Sequence, residues 1–149
     1  MKNLTLLPPV LVVRSAYFWL CARVHFPKKH LGEVVKGNED FIIFRQAVLD
    51  PKGSQPKKPG AILKIRFQFG RFSLKTNRML SIIPIPCILA QPGFRSKTWM
   101  FGKGTGEFQG LYEWSTVEDA EKYRFSFPMK LMKKRAVPES LSYEIIELG

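Results

Sequence analysis

One nine-residue run constrains this chain more than any other: Ala61-Ile62-Leu63-Lys64-Ile65-Arg66-Phe67-Gln68-Phe69. Its period of two sets Leu63, Ile65, Phe67 and Phe69 on one face and Lys64, Arg66 and Gln68 on the other. Successive side chains of an extended backbone point to opposite sides, so this pattern predicts a strand with one face against a core.

The residues beyond this strand set the topology. Ser73 is placed to cap a helix running to about residue 83, where Pro84 and Pro86 remove donors and stop it. Pro92-Gly93 predicts a turn, and residues 94–101 a second strand. The cluster Gly102-Lys103-Gly104-Thr105-Gly106 leads into a third strand over 108–114. Because these glycines join two strands instead of opening a helix, they read as a hairpin turn and not as a phosphate loop. Ser115-Thr116-Val117-Glu118 has the form of a capping box, opening a helix toward residue 127 that Pro128 ends or kinks. Residues 129–135 could add a basic turn, and 141–147 give a fourth strand.

The order β-α-β-β-α-β is that of a ferredoxin-like α+β unit, and right-handed crossovers predict the strand order 4-1-3-2. If Lys64 and Arg66 point away from the helices, the expected companions on that face are Arg95, Lys97 and Trp99, then Gln109, Leu111 and Glu113, then Ser142, Glu144 and Ile146. Glu144 then falls beside strand 1, as cross-strand charge pairing prefers. A slip of one residue would exchange the faces.

Before this unit, residues 1–50 read as a basic helical extension and 51–60, rich in Pro, Gly and Lys, as an exposed linker. A second extension helix is predicted from an Asn38 cap, with Glu39 and Asp40 in its first turn and Phe41, Phe44 and Val48 at helical spacing. Residues 4–26 are apolar but interrupted by Pro8, Pro9, Arg14, Ser15 and Arg23. A membrane span needs about twenty mostly apolar positions, so none is predicted, and Arg14 also spoils a secretory signal. No acid precedes Glu33, and aromatic residues stand among cations. This pattern permits two readings: peripheral membrane contact through residues 4–30, or a helix packed on the chain's own core.

The net charge of +12 is spread evenly, with ten Lys/Arg against four acids in residues 1–60 and fourteen against eight in 61–149. Such a charge favours anionic partners or simply keeps a protein soluble. Cys21 and Cys87 are too few and too far apart for a disulfide framework, and fit a reducing, cytoplasmic compartment. His25 and His30 have no neighbouring cysteine, so no metal site is expected.

Residues 61–149 resemble the dimeric α+β-barrel superfamily, and within it the small antibiotic-biosynthesis-monooxygenase-like proteins. The likeness rests on Pro92-Gly93-Phe94 with Trp99, then Gly110-Leu111-Tyr112 before Trp114 and the helix opening Ser115-Thr116-Val117-Glu118-Asp119. It covers about three-fifths of the chain; residues 1–60 and the helix-cutting Pro84 and Pro86 depart from the family pattern. The resemblance implies a homodimer, a pocket for a small aromatic ligand, and, in some members, oxygenation of phenols without metal or flavin.

Under that reading Arg66 and Lys97 would stabilise an anion, Trp99 would wall the pocket, Asn77 would orient oxygen and Glu113 would act as a base. The alternative for Arg66, Lys97 and Glu113 is a salt-bridged interface, for Trp99 a core position, and for Asn77 a solvated helix face. No cofactor is expected, and haem is disfavoured because both histidines precede the linker. The competing functions are a non-catalytic ligand-binding or membrane-peripheral scaffold and, in third place, a nucleic-acid binder. The last is disfavoured because the sheet lacks adjacent exposed aromatic residues for base stacking.

Overall fold

The computed structural model describes residues 8–20, 22–51, 53, 55 and 58–149. The start of the apolar segment and Cys21 lie outside them. Helix α1 (Pro8–Leu20) comes first, then strands β1 (Val24–His25), β2 (Val34–Val35) and β3 (Phe41–Leu49). The predicted unit comes next as β4 (Ala61–Phe67), α2 (Leu74–Leu80), α3 (Ile85–Leu89), β5 (Phe94–Gly102), β6 (Phe108–Trp114), α4 (Val117–Tyr123), α5 (Phe127–Arg135) and β7 (Ser142–Glu147).

The strands form one antiparallel sheet in the order β1-β3-β5-β6-β4-β7, with β2 also pairing with β3. The inner path β7-β4-β6-β5 is the predicted 4-1-3-2 order. The ferredoxin-like reading therefore holds, and β3 extends it on the β5 side.

The expected second extension helix is instead strand β3, hydrogen-bonded along β5 from Phe41↔Gly102 to Val48↔Ser96. Phe41-Ile42-Ile43-Phe44 is rich in aromatic and β-branched residues that fit a pleated surface. Phe41, Phe44 and Val48 share no face, since Phe44 packs on the helix-side core and Phe41 on the other, and a bulge between Ile43 and Arg45 breaks the alternation in mid-strand. Phe41, Ile43, Ala47 and Leu49 are buried on either side of that break. The supposed cap residues serve the hairpin: the Asp40 carbonyl accepts from Lys103 N, and the Glu39 carboxylate accepts from the Thr105 hydroxyl.

The core lies between the sheet and its helices. Leu63, Ile65 and Trp114 are fully buried there with Phe94, Tyr112 and Met129. Removing a large apolar side chain of this kind from water stabilises by about 1.5–3 kcal/mol. Helix α1 joins this layer: Leu11, Ser15 and Phe18 recur every three to four residues and are buried, and the Ser15 hydroxyl donates to the Pro86 carbonyl. The inner stripe of α1 is thus packed on the chain's own core, while Val12, Val13, Tyr17 and Trp19 are exposed on its outer side. Among the described residues no helix is long and apolar enough to cross a membrane.

The helices predicted from Ser73 and Ser115 are both shorter than expected, and each is followed by a separate short helix. Pro84 and Pro86 end α2 and restart the chain as the short α3. Thr116, one residue beyond the predicted cap, accepts from Asp119 N and opens α4, while Ser126 caps α5 with Pro128 in its first turn.

Candidate functional site

Which face each strand residue occupies decides what can meet in a pocket. On β4 and β6 the prediction holds: Arg66 pairs with Gln109, Lys64 with Leu111 and Ile62 with Glu113, so Arg66 and Glu113 share the face away from the helices. Lys64 forms the expected ion pair with Glu144 at 3.3 Å. On β5 the prediction is corrected. A bulge between Phe94 and Ser96 shifts the alternation, so that Lys97 pairs with Tyr112 and Trp99 with Gly110 on the helix side. Ser96, Thr98 and Met100 take the other face in their place.

The five candidates therefore divide. Lys97 and Trp99 line a cavity of about 400 Å³ between the sheet and helices α2, α3 and α5. Arg66 lies on the opposite face, where its guanidinium donates to Gln109 Oε1 and stacks over Phe41 at 4.7 Å. Glu113 is there too and accepts from the Ser96 hydroxyl at 2.8 Å. Neither belongs to the cavity. Asn77 is buried with both polar ends engaged: its amide donates to the Arg71 carbonyl, and its oxygen accepts from Arg135 at 3.0 Å. It holds Arg135, a cavity-lining residue, against the Phe69 ring. With its amide also within reach of the Phe72 carbonyl, Asn77 has no amide hydrogen left for oxygen.

The cavity is strongly apolar. Phe44, Phe67, Phe69, Trp99, Phe108, Tyr112 and Tyr123 form its walls, and Ile83, Leu131 and Met132 flank it. Its volume falls in the range of small-molecule sites. Set into this wall is Lys97, only 7% exposed, its Nζ 4.5 Å from the Trp99 ring centroid and 4.3 Å from that of Tyr112. No hydrogen-bond acceptor or carboxylate pairs with it among the described residues. Burial, reinforced by the positive charge of Arg45, pushes the Lys97 amine well below the usual lysine value. The two ring faces supply the only compensating attraction among the described residues.

Neighbouring residues fix this arrangement. Gly110 leaves room for it, since a Cβ there would stand 2.9 Å from Tyr112 Cε1 and 3.1 Å from Lys97 Cε. Arg45 arrives from β3, donating to the Ser81 hydroxyl and to the Arg78 carbonyl at the proline-broken end of α2. Sequence reasoning missed Arg45 because it assigned this segment to a helix outside the sheet. The Tyr112 and Tyr123 rings pack 5.0 Å apart, and burial raises both phenols above their ordinary range.

The cavity offers a haem iron no histidine. His25 lies on β1 against Asp50, and His30 is bonded to Glu33. The two tyrosines resist the ionisation that iron ligation requires. The donor set does not fit a haem. No cluster of three or more metal-ligating side chains occurs among the described residues.

No protein-family model matches the sequence, and no curated protein matches it. Solved structures do. A heme-degrading enzyme from Listeria monocytogenes superposes with a TM-score of 0.55 at 10% identity, over 85% of this chain and 97% of its own. A ferredoxin-fold protein related to antibiotic biosynthesis monooxygenases, also from Listeria monocytogenes, gives 0.54 at 9% identity, over 85% and 92%. An anthrone oxidase-like protein gives 0.51 at 17% identity, over 74% of this chain and 54% of its own. At such identities the likeness establishes architecture. The chain has the ferredoxin-like fold found in proteins related to antibiotic biosynthesis monooxygenases.

Proposed function

We propose that the cavity binds a small, electron-rich aromatic molecule carrying an acidic hydroxyl or activated C–H, and that the protein oxidises it with dioxygen without a cofactor. The observation that carries this reading is Lys97: a buried amine with no acid partner, held between two rings in an apolar cavity. A lysine whose ammonium form is disfavoured is present as the free amine, the form that acts as a base, at a lower pH than an ordinary lysine.

The Lys97 amine takes a proton from the substrate and becomes an ammonium over the Trp99 and Tyr112 faces, beside the new anion. Ion pairing then supplies what the cavity walls lack, a counter-charge for Lys97. The anion gives one electron to dioxygen, and the resulting radical pair joins as a peroxide that recovers the proton from Lys97. Loss of water from a hydroperoxide at a C–H carbon leaves a carbonyl, so CH2 and O2 become C=O and H2O. The apolar walls exclude bulk water from the reactive anion. The resemblance of one structural neighbour to anthrone oxidases is in keeping with this substrate class.

We also propose self-pairing through the other sheet face, where Ile146 is 39% exposed beside the accessible Lys64–Glu144 ion pair. Light scattering at micromolar concentration tests it, and a strict monomer refutes it. Oxygen uptake with a panel of phenols and anthrones, in the presence of a metal chelator, tests the oxygenase. Uptake by the wild type that Lys97→Met abolishes supports it. Tight binding without uptake would leave a ligand-binding protein instead.

A further inference from the structure

The mouth of the cavity carries a surface that its walls do not explain. Ile83 and Leu131 both line the cavity and are also 70% and 37% exposed, so they stand at its opening, one after α2 and one on α5. Around Ile83 the chain also leaves Ile82 and Met79 54% and 62% exposed. Large apolar side chains grouped in this way are unusual on a soluble surface and mark an interaction site.

The charges of the same region have one sign. After Asp50 the next acid is Glu107, and after Glu121 the next is Glu139, so α2, the turn to α3 and α5 contain none. Lys75 lies on α2, while α5 exposes Lys130, Lys133 and Lys134. Exposed aliphatic residues within an acid-free field of lysines match an anionic lipid surface: the former enter the headgroup boundary and the latter meet the phosphates. A nucleic acid would use the cations but gains nothing from Ile82, Ile83 and Met79.

We infer that the protein docks its cavity mouth, through Ile83, Met79 and the α5 lysines, onto an anionic membrane surface, from which an apolar ligand would pass directly into the cavity. The inference holds whether or not the ligand is then oxidised. It also differs from anchoring through residues 4–30, of which Leu11, Ser15 and Phe18 are packed on the core.

Flotation of the full chain with phosphatidylcholine vesicles, with and without phosphatidylglycerol, tests it. Binding is expected only with the anionic lipid. Ile83→Asp should weaken it about tenfold and the pair Lys130→Gln/Lys134→Gln roughly thirtyfold, each lysine near such a surface contributing roughly 1 kcal/mol, or about fivefold. Lys64→Gln, on the other sheet face, should not change it. All these side chains are on the surface, and melting curves confirm folding; should Ile83→Asp misfold, the lysine pair decides. No anionic-vesicle binding, binding that survives both mouth variants, or retention on a polynucleotide column without vesicle binding overturns the inference.

Discussion

Lys97→Met replaces a buried amine with an unbranched apolar chain, and the structure sets both the sign and the slope of its effect on stability. In the folded protein the Lys97 value is depressed by burial and by Arg45; in the unfolded chain it returns to about 10.4. Below the folded value both states hold the proton, and the buried ammonium destabilises the fold by a constant amount. Between the folded value and about 10.4 the unfolded state alone binds the proton. Wild-type stability relative to Lys97→Met therefore rises through that window by about 1.4 kcal/mol per pH unit. Above it both forms are neutral and the difference levels off. At neutral pH the variant should be the more stable protein, with its advantage shrinking as pH rises. The tyrosines near Lys97 do not interfere, because burial moves Tyr112 and Tyr123 upward, away from this window. Urea denaturation of both proteins at half-unit steps from pH 6 to 10 gives the difference directly, since urea leaves charge interactions unscreened. Parallel curves across that range would mean that Lys97 titrates alike folded and unfolded, and the argument for a desolvated amine would fail.

Other outcomes are as specific. Thr116→Ala should cost about 1 kcal/mol by removing the α4 cap, while Ser115→Ala, whose buried hydroxyl has no partner among the described residues, should cost nothing or stabilise slightly; equal losses in urea titrations would return the cap to Ser115. Asn77→Ala should cost roughly 1–3 kcal/mol and weaken ligand binding through release of Arg135, whereas unchanged binding would make Asn77 a purely local anchor. Lys64→Ala should change stability by less than about 1 kcal/mol, as exposed ion pairs usually do, and a larger loss would mean that this face is covered in solution.

The fold was legible where one signal dominated. The alternation over 61–67, the glycine hairpin and the serine caps each named an element, and handed crossovers then fixed the strand order. Bulges defeated the rest. On β5 a single extra residue at Arg95 moved Lys97 and Trp99 to the helix side, and on β3 another at Phe44 broke the alternation that marks a strand. A bulge is a tertiary fit between two strands, and one strand's residue pattern does not record it. The same limit applied to the site. Lys97 and Trp99 were identified by chemical type, but their meeting with Tyr112 and Arg45 depended on a register that no local spacing encodes. Arg66 and Glu113 had suitable chemistry and the predicted face, which is the face the cavity does not use.

The central claim is that an amine stripped of water ionises an aromatic hydroxyl beside it. The ultraviolet spectrum of 2-naphthol bound to the protein, taken at a pH where free naphthol is neutral, tests this directly. A naphtholate band with the wild type, replaced by the neutral band with Lys97→Met, is the predicted result; a neutral band in both complexes would contradict it.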